Sequence, residues 1–408
     1  MLSESSMERL SPLSLLTERQ SLTRLIARLQ KATEEILRSQ EARAVTGLAM
    51  SPHPPYLLSF CPGELAEARR DFTEFILQGE ARLHGLAHLL SRSLFGTRFE
   101  LTSTVIGEVP DSTEPAPTLA ARNPHARFTL SLPLTVEQLL ASSDLELGKR
   151  QLARHGVLSS DGTRWLQPHL VANFVEYEPR EGNAFKVTKL LSRIKAEQEL
   201  WNKVTDEIFD LDRLFARDKQ LRKLSRYVKD VFGIKILTED TESARALHSH
   251  LTTWRWTDND LSQLNLPGRP GDDRSLRQME FLEIKDYLSQ GAGKNSGWTA
   301  IKSVVRWWDQ TFELQIQPLP NYYREQERFT RESHQSFKLS RERFREDVAR
   351  RLPLYGFIRD VLRWLFSAEP HGPRPTFPGV AILLQDEPII SASGPRGTEN
   401  ESVKMYPS

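Results

Sequence analysis

The chain has 408 residues, enough for two or three domains of ordinary size, and its 38% hydrophobic content is low but sufficient for a core. A formal net charge of +1 means that bulk charge argues for neither a nucleic-acid nor a membrane-surface partner. A single cysteine, Cys61, excludes an intramolecular disulfide and a cysteine metal cluster, which fits a reducing compartment.

No apolar run approaches the roughly 20 residues that a membrane helix needs. The start MLSESSMERL has no basic segment followed by an apolar run, so no secretory signal is expected. The expectation is a cytoplasmic protein with no membrane partner. In chain order, residues 10 to 45 are predicted as a helix, because Leu15, Leu16, Leu22, Leu25, Ile26, Leu29, Ile36 and Leu37 recur at helical spacing. The Pro-rich SPHPPY at 51 to 56 ends it. A second helix is predicted over 63 to 94. His84 and His88 share a face there, but no third ligand accompanies them, so a metal role is disfavoured. Pro110 to Pro124 reads as a loop or linker. Arg127 to Leu134, RFTLSLPL, alternates like a strand, with Pro133 placing it at an edge or an end. Helical and turn signals follow to Trp165, with SSDGTRW at 159 to 165 as a turn; no basic recognition helix appears among them. Residues 1–182 form a helical or mixed region without an assigned role.

From Asn183 the sequence predicts a long helix, FKVTKLLSRIKAEQELWNKVTDEIFDLDRLF. Its apolar stripe is Leu190, Ile194, Trp201, Val204, Ile208 and Leu211. Lys195, Glu199 and Lys203 then lie four apart on another face. They form either a solvated Lys–Glu–Lys ladder or, with Arg193, a row of cations for a polyphosphate; from the helix alone the ladder is the simpler reading. Asp230 stands at the entry to an apolar strand, Phe232 to Leu237. Acidic residues are poor strand formers, so it serves either as a metal ligand or as a turn cap. A helix over Arg245 to Arg255, a turn at Gly268 to Asp273 and a strand over Gln278 to Ile284 lead to Lys285.

The stretch from Lys285 to Gln317 organises the rest. A basic, Gly-rich loop is followed by two predicted strands, and in the second Phe312, Leu314 and Ile316 share one face while Glu313, Gln315 and Gln317 share the other. A carboxylate with flanking amides suits a metal or a hydroxyl, and the same alternation also describes an ordinary half-exposed strand. GAGKNS at 291 to 296 is not a phosphate-binding P-loop, because the earlier glycine is missing at the required spacing.

Taken together, the chain has R-x-K-(x)7-K from Arg193, K-D-x-x-G-I-K-I at Lys229, and K-D-Y at Lys285. A K-x-x-G-aromatic loop follows at Lys294, then E-x-Q-I at Glu313 and H-x-x-aromatic-K at His334. This order resembles the synthetase domain of the RelA/SpoT family, which makes the alarmones ppGpp and pppGpp, over roughly residues 183–345. The resemblance implies an α+β, nucleotidyltransferase-like mixed sheet flanked by helices. It also implies pyrophosphate transfer from ATP to the 3′-hydroxyl of a guanosine nucleotide, with Mg2+ as cofactor. Carried over by position, Arg193, Lys195 and Lys203 hold ATP, and Asp230 and Glu313 bind the metal and carry catalysis. Lys285, Lys294, Trp298, Lys302, Gln315 and His334 lie on the acceptor-nucleotide side, with Trp298 as the stacking platform. Asp230 and Glu313 are expected on neighbouring strands.

Several positions depart from the family pattern: Glu199 replaces a serine, Lys235 an arginine, Ser296-Gly297-Trp298 an Asn-Gly-Tyr, and Lys302 a histidine. Three of the four fall on or near the acceptor side. The alternatives are therefore a toxic relative that modifies adenosine nucleotides or the 3′ end of tRNA, and an inactive nucleotide-binding module. No His-Asp dipeptide occurs, so the family's hydrolase domain is expected to be absent. Residues 340–366 read as one or two helices broken near Pro353. Their apolar face, 346–367 in particular, either closes the core or, as in small members of the family, forms a homo-oligomer interface. Residues 368–408 are Pro-, Gly- and Ser-rich and are expected to be disordered apart from an apolar piece at Val380 to Leu384.

Overall fold

The computed structural model describes residues 19–46, 55–110, 125–141, 157–158, 165–166, 169–195, 197–209, 231–262, 264, 274–289, 298–326, 334–366 and 374–384. Helix α1 (Gln20–Thr46) leads to strand β1 (Tyr56–Phe60) and helix α2 (Pro62–Phe95). Pro62 opens α2 at a position whose N–H would have no partner in any case, and Gly96, with φ of 69°, closes it by donating its N–H to Arg92 O. Strands β2 (Phe99–Pro110) and β3 (His125–Leu134), helix α3 (Val136–Ala141) and the short strands β4 (Val157–Leu158) and β5 (Trp165–Leu166) follow, then β6 (His169–Pro179), β7 (Val187–Lys195) and α4 (Glu197–Ile208). Next come β8 (Phe232–Thr238), α5 (Thr241–Thr253), α6 (Asp258–Ser262), α7 (Arg274–Arg277), β9 (Glu280–Asp286), β10 (Ile301–Trp307), β11 (Gln310–Pro318) and α8 (Leu319–Gln326). Helices α9 (His334–Arg351) and α10 (Pro353–Phe366) and strand β12 (Val380–Leu384) end the described chain.

The fold is α+β. Eight strands form one mixed sheet in the order β3-β2-β6-β7-β8-β11-β10-β9, and only the central β8–β11 pair is parallel. Strand β3 lies at the edge, which accommodates Pro133. Pairing of β6 with β7 carries the sheet across residues 182–183. Outside this sheet, β4 pairs with β5, and β1 pairs in parallel with β12.

One face of the sheet is apolar. Phe232 packs against Phe75 of α2, with ring centroids 5.9 Å apart, and a Cβ on Gly79 would lie 2.1 Å from its ring. Helix α5 lies on the same face, where His248 meets Ser303. Behind α2, Trp201 of α4 stacks on Phe366 of α10 at 4.1 Å and contacts Phe72 at 4.7 Å. The apolar face of α10, including Phe357, Ile358, Val361, Leu362 and Leu365, is buried within the chain and closes this core. A proline is tolerated in the first turn of a helix but not inside one, so the break falls between Arg351 and Pro353. Asp206 of α4 ties that helix to α9 and α10, accepting from Arg345 at 2.8 Å and from the Tyr355 hydroxyl at 2.7 Å.

The segment expected as one long helix from Asn183 is instead a strand and a helix. Residues 187–195 form β7, between β6 and β8, and the helix begins at Glu197. The side chain of Asn183 accepts from Val187 N at 2.9 Å and donates to Val187 O at 2.7 Å, and Lys186 has φ of 47°, so a tight turn launches an extended chain. Among the described residues, no helix is long and apolar enough to cross a membrane.

Candidate active site

Opposed residues on paired strands share a face, and so do residues two apart. Across the middle of the sheet, Arg193 opposes Gly233, which opposes Glu313; Gln315 opposes both Lys235 and Lys302; Lys302 opposes Lys285. One face therefore gathers Arg193, Lys235, Lys285, Lys302, Glu313 and Gln315. The other carries Phe232, Ile234, Phe312, Leu314 and Ile316. Gly233 keeps the polar face passable: a Cβ there would lie 3.3 Å from Arg193 Nε, so glycine leaves room for the guanidinium to cross β8 towards β11.

Glu313 is the centre of this face. It is 2% exposed, which replaces the half-exposed strand that the alternation alone describes. Lys302 Nζ lies 2.5 Å from Oε2, and Arg193 Nη2 lies 3.9 Å from Oε1. The Gln315 amide donates to Oε1. Both amide atoms of Gln317, one strand repeat further on, are buried with no hydrogen-bond partner among the described residues. Such a group is a candidate ligand contact, because an unmatched buried amide is costly.

A second cluster borders the first. Glu325 of α8 accepts from Lys235 Nζ at 2.9 Å and from the Trp298 indole at 3.3 Å. Lys235 also lies over the Tyr322 ring, 5.3 Å from its centroid, and Tyr287 meets Trp298 edge-on at 5.7 Å. Burial holds the Lys235 ammonium below the usual lysine range; Glu325 pulls it back up, and Arg193 adds to the lowering. Burial likewise raises the Tyr287 phenol, opposed by Lys302.

The structure thus brings together Arg193, Lys302, Glu313 and Gln315, with Lys285 on the same face, where it pairs with Glu283 at 2.6 Å. Trp298 joins them through Glu325 and Tyr287. Arg193 and Lys195 sit on a strand, not on the helix expected for them, because β7 is hydrogen-bonded on both sides; Lys203 is half-buried on α4, the helix that follows. The side chains of Lys195 and His334, and residues Asp230 and Lys294, lie outside what is described. Strand β8, which begins two residues after Asp230, is the neighbour of the Glu313 strand. His84 and His88 are buried in α2, with His84 Nε2 3.1 Å from Glu80 Oε1, and no group of three metal-ligating side chains occurs among the described residues. Trp307 and Trp308 are packing residues, 0% and 7% exposed.

Sequence reasoning passed over Glu325, Tyr322 and Tyr287. Glu325 and Tyr322 lie one turn apart on α8, a helical offset that could have marked a shared face, but nothing local indicates that this face meets Lys235.

No family model matches the chain, and no curated protein matches it. Two solved structures of the small alarmone synthetase 1 from Bacillus subtilis are similar to part of it, both at 14% identity. The first overlaps 34% of this chain and 58% of its own, with a TM-score of 0.20. The second, bound to its product pppGpp, overlaps 45% of this chain and 76% of its own, with a TM-score of 0.24. Both likenesses are too slight to bear on chemistry, which has to be read from this chain's own side chains.

Proposed function

We propose that the chain is a nucleotide pyrophosphokinase, which moves pyrophosphate from ATP to the 3′-hydroxyl of a guanosine nucleotide. The observation that carries this reading is Glu313: a buried carboxylate held between a guanidinium and an ammonium, with a glutamine two residues on donating to it. The resemblance of the ordered motifs to RelA/SpoT synthetases supports the substrate assignment.

In the reaction, the acceptor 3′-oxygen bonds to the β-phosphorus of ATP. The bond from that phosphorus to the α–β bridging oxygen breaks, and AMP leaves. Such transfer depends chiefly on positioning and on stabilising charge. Arg193 and Lys302 flank the place where negative charge moves, and each can exchange its contact with Glu313 for a phosphate oxygen. Glu313 accepts the proton of the attacking hydroxyl. Lys195 and Lys203 add to the cation row for ATP. Trp298 offers its ring to the acceptor base, a contact worth about 1–3 kcal/mol in stacking, with Glu325 fixing the indole N–H. Lys285 and Gln315 serve the acceptor from the same sheet face.

Mg2+ takes one or two protein carboxylates when substrate phosphates complete its shell. The donor set fits that minimum: Glu313 is a buried carboxylate on this face, and Asp230 is a second in sequence beside the neighbouring strand. These two would hold the ion, which would neutralise phosphate charge during transfer.

The test is AMP release from ATP and Mg2+ with GDP, GTP, ATP or tRNA offered separately. AMP that depends on GDP or GTP is the expected result. AMP that appears only with tRNA or an adenosine nucleotide would move the acceptor. Nucleotide binding without AMP from any acceptor would replace the enzyme by a binding module.

A further inference from the structure

Away from the sheet face, α10, Ala349 of α9 and the segment Arg374–Pro378 border an open cavity of about 720 Å³. Its charge is one-sided: Arg359, Arg363 and Arg374 line it against one carboxylate, Asp360. Its walls carry two half-buried rings, Trp364 and Phe377, and the buried Phe357 backs Phe377 with ring centroids 5.2 Å apart. The chain between is anchored, since Val380 N donates to Phe377 O at 3.1 Å and β12 then pairs with β1.

The three arginines differ in what already engages them. Arg363 donates to Asn202 of α4 at 2.8 Å. Arg359 has Asp360 only at 3.6 Å, and its buried Nε has no hydrogen-bond partner among the described residues. Arg374 is exposed, and no ion pair forms to it among the described residues.

We propose that this cavity is a second binding site, separate from the sheet face, for a nucleotide. Its volume falls in the range of small-molecule sites. Guanidinium forks match phosphate oxygens in pairs, and flat rings give a base its stacking surface. An acidic peptide would use the guanidiniums and leave the rings without a flat partner. The site does not depend on the activity proposed for the sheet face.

The experiment is calorimetric titration of the full chain with ADP, repeated with R374E, with R193A and with tripolyphosphate in place of ADP. Arg374 is exposed, so reversing its charge leaves the core untouched. The expected result is a class of ADP site, distinct from any at the sheet face, that R374E weakens about tenfold or more, from the loss of a charge-assisted contact, and that R193A leaves unchanged. Tripolyphosphate should bind that class at least about tenfold more weakly than ADP, because it lacks the stacking base. Unchanged ADP binding by R374E overturns the proposal, as does tripolyphosphate binding as tightly as ADP. An oligoglutamate that displaces ADP from this class at equal concentration would assign the cavity to an acidic peptide instead.

Discussion

Replacing Glu313 by glutamine keeps the shape of the side chain and removes one negative charge from the centre of the polar sheet face. Two cations then face an amide. Breaking a fully buried ion pair costs about 3–5 kcal/mol, but Lys302 and Arg193 are 29% and 34% exposed along their side chains, so both can turn to solvent. The discounted loss of stability is about 1–2 kcal/mol. The chemical loss is larger. A glutamine amide accepts no proton from a 3′-hydroxyl, and removing a positioned general base costs about 10²–10⁴ in rate. The assay is AMP release under saturating ATP, alongside urea denaturation to confirm that E313Q remains folded. A folded E313Q that retains activity within about threefold of the parent, far short of the loss expected for a general base, would refute the role given to this carboxylate.

Three further outcomes follow from the packing around the site. In E325Q, Lys235 and the Trp298 indole lose their shared anion; the KM for the acceptor nucleotide should rise about fivefold or more, the equivalent of one weakened hydrogen bond to a charged group, while kcat changes less, and an unchanged KM would free Trp298 from this tether. In G79A the new Cβ would stand 2.1 Å from the Phe232 ring, more than an ångström inside ordinary contact. Alanine gains up to about 1 kcal/mol of helix propensity, but overpacking costs about 1–3 kcal/mol, so urea denaturation should show net destabilisation; a stabilised variant would contradict the close approach. His88 is held down to about 4, first by burial and then by Arg92. Its folded value lies below the unfolded 6.5, so the unfolded chain takes the proton first as pH falls. The associated stability is full above about pH 6.5, declines towards pH 4 by about 3 kcal/mol, and is level below. H88L should flatten the urea midpoint between pH 7 and 4.5, and an equally steep decline in that variant would exclude His88 as the cause.

The readable parts of the sequence were those where local pattern and tertiary setting agree. Strands β8, β10 and β11, the edge strand with Pro133 and the break at Pro353 all follow from alternation or from proline geometry. The β7 segment misled because Leu190, Ile194 and Trp201 also fit a helical stripe, while its extended state is set by neighbours distant in sequence. The overlooked signals were Val187 and Thr188, both β-branched, after the Asn183 turn. The depth at which Glu313 lies could not be read either. Alternation places it on the face opposite Phe312 and Leu314, but only α8 on the polar face and α2 and α5 on the apolar one decide that both faces of β11 are covered.

The identity of β7 as a strand changes what Arg193 depends on. On a helix, its position would be set by that helix's packing. On β7 it is set by two ladders: Phe174 of β6 opposes it on one side, and Gly233 of β8 on the other. Strand β6 is in turn tied to β7 by Lys189, which reaches Glu176 at 2.5 Å and Glu178 at 2.6 Å. The ammonium of Lys189 is held above the usual lysine range by these carboxylates against the opposing effect of its burial. The strands before residue 182 therefore act on the polar face directly, through the hydrogen-bonded edge of the strand that carries Arg193. Because a slip of one residue would turn Arg193 to the apolar face, the register of β6 on β7 is as much a condition of the site as the carboxylate that Arg193 approaches.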